Sequence, residues 1–456
     1  MRRKINMLEG GILKSIIPFA LPIMLSSLLQ YNYSLVDNII VGRYVGTDAL
    51  AAVGNVASIN SFVIGAAVGL TSGFTIPVLH AYGAGDREKA SHYAGSSIVA
   101  SFMIGLVIVV VAHIVSTPLL RLIGTPDDII GLSAAYVNIL YFAVPIQMLS
   151  NNFTAISRAV GESKKPLYFF TVSVLLNFAL DLLFVGRFGW GVEGAAAATF
   201  ISHFATAAMT GFYVIKINPD IHIRIQDLKP DPAAIREQVK LGIPVSMQFT
   251  VTSIGSMCMQ SAVNSFGKDV MAGFTAAGRV ENLANIPLSG LGVANQTFVG
   301  QNYGARRYGR IIEAVRKIFI LDVVLSLVMS TLLLSFGTPV VSLFMKETNL
   351  AVMAAAKRYL LATAQCFSLV AVLFVMRNSL QGMGYTYANA VAGTGELLGR
   401  ISVAFIFSKL IGFNAVCYAA PAAWLLADIP LVIIYLVKRR RFLRPEAEKQ
   451  SEARAT

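Results

Sequence analysis

Twelve apolar stretches follow one another through this chain of 456 residues. Nothing else in the sequence constrains the fold as tightly. They cover approximately 15–43, 50–80, 94–117, 129–159, 167–187, 191–217, 237–266, 271–303, 312–336, 351–380, 386–409 and 414–437. Roughly 20 apolar residues cross a bilayer as a helix. In hydrocarbon, every backbone donor and acceptor must be satisfied within the segment, so spans of this kind are helical. The chain is 55% hydrophobic and 13% charged, whereas soluble domains carry about 25% charged residues. A large soluble domain has no room here. The predicted fold class is an all-α polytopic membrane protein with twelve transmembrane helices.

The formal net charge is +13, but the bases cluster in loops between spans. That pattern reads as membrane orientation and contact with anionic lipid headgroups, not as nucleic-acid binding. With both termini cytoplasmic, roughly three-quarters of the Lys and Arg fall on the inner side, as the positive-inside rule requires. The inner set includes Arg2, Arg3, Lys4, Lys164, Lys165, Arg306, Arg307, Arg310 and the run Lys438 to Arg441. The residues after Arg441 are small and charged, which predicts a disordered, basic cytoplasmic tail over 438–456. Met1-Arg-Arg-Lys leads into a full-length span with no short apolar region ending at a cleavage site, so the first span is expected to be retained. Cys258, Cys366 and Cys417 all lie in apolar segments and read as small core residues.

The chain also repeats itself. At a shift of 221 residues Gly46 meets Gly267, Tyr82-Gly83-Ala84 meets Tyr303-Gly304-Ala305, Thr117-Pro118 meets Thr338-Pro339, Gly161 meets Gly382 and Gly191 meets Gly412. A slip of one places Pro22 on Pro244. Each half holds six spans. An even number means both halves enter the membrane in the same sense, the parallel-repeat arrangement of many carriers. The predicted organisation is an N-terminal bundle over 1–216, a polar cytoplasmic linker over 217–240 acting as a hinge, and a C-terminal bundle over 241–437.

Inside the first span sits Asp37. An acid in a membrane helix costs several kcal/mol unless it is paired, protonated or wetted. Asn177 and Asp181 lie four apart on the fifth span, on one helix face. Asp37 lies six residues before Arg43 and Asp181 six before Arg187, so both acids sit about 9 Å below the outer ends of their spans. Thr199 and Tyr136 fall at comparable depth. Under the repeat, Asp37 maps to Cys258 or Met259, Asn177 to Leu398, Asp181 to Ser402 and Thr199 to Ala420. The shared architecture therefore does not demand this polar set. Two close carboxylates out of water resist joint ionisation and take up a proton or a cation. Oxygens from two Asp, an Asn and a Thr equally suit Na⁺, and the sequence leaves H⁺ and Na⁺ open. The bland alternative is a set of polar residues near helix ends in a wide outer vestibule.

Other polar groups in spans have ordinary readings. Pro18 and Pro22 are expected to kink the first span. Glu396 and Arg400 form an i,i+4 pair that neutralises itself. Arg279 and Glu281 are two apart and do not face each other. Glu281 is a candidate for the wall of a central cavity, where an acid attracts a cationic substrate. Met247, Met257, Phe249 and Phe266 read mostly as packing, with a minority forming an adaptable apolar wall.

The stretches VDNIIVGRYVGTDALAA (36–52), NFALD (177–181), LHAYGAGD (79–86), VGQNYGARR (299–307) and LQGMGYT (380–386) occur in order within this repeat. In them the chain resembles the multidrug and toxic compound extrusion (MATE) transporters over essentially its whole length. The resemblance implies two six-helix bundles and export of small, amphipathic, mostly cationic compounds driven by H⁺ or Na⁺. It implies a plasma-membrane protein and a monomer, with no cofactor beyond the coupling ion. It also carries a coupling role to Asp37, Asn177, Asp181, Thr199, Tyr136 and Asn151, and a hinge or cavity role to Tyr33 and Pro22. Another branch of the family places acids on the seventh and tenth spans, where this chain has Thr252 and Gln381. The competing reading is a flippase for lipid-linked or polysaccharide precursors on the same fold, whose cavity would favour bases. An enzyme has little support. Gly83-Ala84-Gly85-Asp86 matches a short intramembrane-protease pattern but has no Tyr-Asp partner motif, and neither His-Glu-x-x-His nor Gly-x-Ser-x-Gly occurs.

Overall fold

The computed structural model describes residues 5–45, 47–122, 127–343 and 349–455. Gly46, Arg2, Arg3 and Lys4, which figure in the repeat and in the charge pattern, lie outside them. The described residues form helices and no strands. The chain divides into two compact units. Leu21–Ser246 belongs to the first, and Asn6–Ala20 joins Met247 onward in the second.

The first unit contains most of α1 (Ile12–Tyr44), then α2 (Thr47–Phe74), α3 (Ile76–Gly83), α4 (Arg87–Leu122), α5 (Asp127–Phe142), α6 (Val144–Ala159), α7 (Lys164–Asp181) and α8 (Gly191–Phe212). It also takes the first half of α9 (Pro232–Asn264). The second unit takes the rest of α9, then α10 (Lys268–Gly304), α11 (Tyr308–Leu343), α12 (Leu350–Gln365), α13 (Phe367–Gly382), α14 (Tyr387–Ser402), α15 (Ser408–Ile411), α16 (Phe413–Cys417) and α17 (Ala419–Ala455). Among the described residues, eight helices are individually long and apolar enough to span a membrane. Two further spans are broken pairs, α5–α6 bent by 45° and α12–α13 bent by 53°. Helices α9 and α10, of 33 and 37 residues, are long enough to cross a membrane but more polar than the other long helices.

The repeat is visible in the backbone. A π-helical turn follows α7 at Leu182–Arg187 and recurs after α14 at Val403–Phe407. Gly191 and Gly412 both hold positive φ, at 62° and 74°. Gly85, with φ of 83°, corresponds to Arg306, which takes φ of 56° despite its Cβ. Left-handed backbone costs a non-glycine residue about 1–2 kcal/mol. Arg306→Gly is therefore expected to stabilise the protein by about 1 kcal/mol once glycine's own entropy is offset. A rise in the thermal midpoint of purified protein checks this, and a fall counts against it.

Three boundaries differ from the sequence reading. Asn6–Ala20 packs with the second unit, not the first. Asn302 Nδ2 donates to the Met7 carbonyl at 3.0 Å and Arg310 Nη1 to the Gly10 carbonyl at 3.1 Å, while Met7, Ile16 and Phe19 are buried. The linker is not a free hinge, because it is docked on the first unit. Ile221 and Ile223 are buried there, the Tyr82 hydroxyl donates to Asp220, and His92 bonds Asp231 at 2.9 Å. Asp231 in turn accepts from the first backbone amides of α9, and the pairing with His92 holds its carboxyl below the usual range. The tail is not irregular either. Helix α17 continues to Ala455, through Pro445.

Glycines set the closest helix approaches. A Cβ on Gly73 would lie 2.3 Å from the Gly242 Cα, which brings α2 and the first half of α9 into backbone contact. In the second unit, Gly395 and Gly399 do the same for α14 against α17. Helix α1 runs unbroken through Pro18 and Pro22, and the chain passes from one unit to the other immediately before Pro22.

Candidate functional site

The first unit encloses a cavity of about 300 Å³. Two helices each present a polar stripe to it. From α1 come Gln30, Tyr33, Ser34 and Asp37, and from α8 come Thr199, Ser202, His203 and Thr206. Both sets follow the i, i+3, i+4, i+7 spacing of one helix face. From the broken α5–α6 span come Tyr136 and Gln147.

Tyr33 Oη and Thr199 Oγ1 are 3.0 Å apart, which ties α1 to α8. One turn further along α1, Asp37 is partly buried and its Oδ1 has no hydrogen-bond partner. Asp181 ends α7 just before the π turn. It is fully buried, and neither carboxylate oxygen has a partner among the described residues. The charge of Asp37 bears on Asp181, and both acids bear on Tyr33 and Tyr136. Asn177, one turn before Asp181, is buried with its amide nitrogen unpartnered. Asp37, Tyr33, Tyr136 and Thr199 thus share one cavity, with Asp181 beside it. Asn177 and Asp181 are not among the lining residues.

Asn151 does not line the cavity. Its place on α6 is taken by Gln147, one turn earlier. Pro22 is buried within α1. Glu281 lies in the second unit, buried, accepting a 2.5 Å hydrogen bond from Tyr359 Oη. Gln147, His203 and Ser173 line the cavity yet escaped the sequence reading. For α8 the signal was available, because Thr199, Ser202, His203 and Thr206 form a polar stripe in an apolar span.

Three unpartnered carboxylate oxygens and a ring of hydroxyls form a donor set for a proton or a hard alkali cation. The residues present fit either. No Lys or Arg among the described residues lines the cavity, so they offer no guanidinium or ammonium to a phosphate. Among the described residues, no group of three or more His, Cys, Asp or Glu gathers as transition-metal ligands do.

Two repeated helical bundles of apolar spans, one enclosing a polar cavity with buried acids, define a polytopic membrane transporter. The family pattern MatE matches the chain twice, over residues 22–183 and 244–406. The protein belongs to the MatE family of multidrug efflux transporters. It is 30% identical over 438 residues to the probable multidrug resistance protein YoeA of Bacillus subtilis, covering 94% of this chain and 93% of that one. It is 22% identical over 433 residues to the multidrug export protein MepA of Staphylococcus aureus, covering 95% of each. Among solved structures it is similar to an outward-facing multidrug resistance MATE family transporter, with a TM-score of 0.90 at 23% identity over 97% of this chain and 99% of that one. It is also similar to a superfamily member from Pyrococcus furiosus whose binding pocket is described as reversed in polarity, with a TM-score of 0.88 at 23% identity over 97% of this chain and 98% of that one. These structural likenesses show the fold alone.

Proposed function

We propose that this protein is a cation-coupled antiporter that exports amphipathic, mostly cationic compounds across the plasma membrane by alternating access. The observation that carries the reading is the pair Asp37 and Asp181, two acids within electrostatic reach of each other, with three of their four oxygens buried and without donors among the described residues. H⁺ or Na⁺ loads at these acids, with Thr199, Asn177, Tyr33 and Tyr136 as neighbouring polar groups. Occupancy removes negative charge from the cavity and lowers its hold on a cationic compound. Both termini lie in the cytoplasm, as the distribution of bases favours. The protein works as a monomer, without a cofactor.

The energetics are sufficient. One charge crossing 100 mV releases about 2.3 kcal/mol, and one pH unit about 1.36 kcal/mol. Either sustains roughly tenfold or greater accumulation per ion. The test is efflux of a cationic dye in everted vesicles, with a pH gradient and a Na⁺ gradient imposed separately. One of the two gradients is expected to drive dye movement, and failure of both would overturn ion coupling. An anionic lipid-linked substrate moved in place of the dye would support the flippase reading, which a lining without Lys or Arg among the described residues disfavours.

A further inference from the structure

The second unit holds a charge network that the proposed mechanism leaves unused. Glu396 on α14 is buried and forms an ion pair with Arg377 of α13. It also accepts from Thr252 Oγ1 at 3.2 Å and lies 4.0 Å from Arg400. Asp428 on α17 is 5% exposed, and neither of its oxygens has a hydrogen-bond partner among the described residues. Arg377 and Glu396 are the charged groups that bear on it. Arg377 also has an unmatched group, since its Nε is buried with no acceptor. Gly395 and Gly399 hold α14 and α17 in backbone contact, so Asp428 and Glu396 belong to neighbouring turns of two tightly packed helices. Of the other groups around α17, Arg400 bears on Glu281. The packed helices α11 and α12 bring Asp322 and Tyr359, and Tyr359 is bonded to Glu281.

An acceptor without a donor thus sits beside a donor without an acceptor, and the two are not bonded. The network explains why. Arg377 supplies the positive charge that bears on Asp428, and Asp428 and Glu396 supply two negative ones when both are ionised. Low-dielectric surroundings disfavour the surplus charge, and one proton cancels it. A guanidinium presents five donors in a fixed fork and satisfies one carboxylate well at a time. The carboxylate without the guanidinium is the one that needs the proton.

We infer that the second unit contains its own proton-binding site, in which Asp428 and Glu396 share Arg377 and the carboxylate it leaves holds one proton. In the arrangement seen, Arg377 is on Glu396 and Asp428 carries the proton. In the alternative, Arg377 turns to Asp428 and Glu396 takes up a proton from water. The total charge is the same in both. One proton is released when neither acid is protonated and one is bound when the network closes again. Asp322 is also buried without a partner. It has no guanidinium to exchange for a proton, so the inference is confined to Asp428 and Glu396.

The test separates this site from the first unit. Full-length protein carrying Asp37→Asn and Asp181→Asn is placed in lipid vesicles, and infrared difference spectra are recorded across pH values where exposed carboxylates are already ionised. A protonated-carboxyl band that titrates is expected to remain, to shift when aspartate is labelled with carbon-13 at its carboxyl, and to vanish with Asp428→Asn. Absence of a titrating carboxyl band overturns the proposal. So does a band that ignores the aspartate label or survives Asp428→Asn. Asp322 is the other buried aspartate whose oxygens lack partners among the described residues, so where Asp428→Asn fails to fold, a label-shifted band that persists in Asp322→Asn supports Asp428, and its loss there overturns the proposal. Failure here leaves the dye-export reading of Asp37 standing, because that reading is tested by transport in protein with its first-unit acids intact.

Discussion

Asp37→Asn abolishes gradient-driven dye export while the protein reaches the membrane and resists heat at least as well as the parent. The two halves of this result have one cause. Asp37 is the carboxylate lining the first unit's cavity, and its Oδ1 has no donor. Asparagine keeps the shape but carries neither the charge nor the exchangeable proton. A charged contact of about 3 kcal/mol is lost from ion binding, which corresponds to a fall of about a hundredfold in ion affinity. Stability moves the other way or not at all, because an unpartnered acid out of water is a cost to the folded state. Asp181→Asn follows the same pattern, with both of its oxygens unpartnered at present. A vesicle efflux assay joined to a thermal unfolding measurement reads both halves. Normal export by both variants removes these acids from the mechanism. Loss of export together with loss of stability assigns them a structural role instead.

The sequence made the spans and the duplication legible because both are one-dimensional properties. Apolar length needs no partner to be counted, and a shift of one register carries the π turns after Asp181 and Ser402 and the paired turns at Gly191 and Gly412. Depth in the membrane is also nearly one-dimensional. Counting from span ends places Asp37, Tyr136 and Thr199 together, and the cavity contains all three. Asn151 rests on the family resemblance and not on the count, and it lies outside the cavity lining on α6, beyond the 45° bend between Phe142 and Val144. The bend shifts the cavity-facing position one turn back, to Gln147.

What the sequence hid depends on contacts made across long separations. The first residues read as part of the N-terminal bundle by adjacency alone. Their true place is set by Asn302 and Arg310 reaching the carbonyls of Met7 and Gly10, about 300 residues away in the chain, which no periodicity encodes. The linker reads as a hinge by its prolines and charges. Buried Ile221 and Ile223, two residues apart, were the trace of an extended segment lying on a surface. Glu396 and Arg400 read as a self-neutralising pair by spacing. In the folded protein Arg377, from another helix, is the closer partner, and Arg400 lies at 4.0 Å.

That ion pair yields the second large effect, opposite in kind to the first. Glu396→Ala is expected to destabilise the second unit by about 3 kcal/mol, because the buried Arg377 guanidinium loses its ion pair and has only Asp428 left, which must give up its proton to take it. Arg377 is 11% and Glu396 4% exposed at their side chains, so water compensates little. Removing both charges together, as Arg377→Met with Glu396→Met, is expected to recover most of the loss, since hydrophobic replacements of similar volume restore packing without desolvating a charge. A double-mutant cycle measured by unfolding in mixed micelles reads the coupling directly. Additive losses would show that the two side chains do not depend on each other. Glu396 is thus a charge whose partner is present, and Asp37 one whose partner is missing. Deleting the first breaks the fold, whereas deleting the second leaves the fold and stops the transport. The sign of the stability change therefore separates an acid that already holds a guanidinium from one whose only partner is an ion that comes and goes.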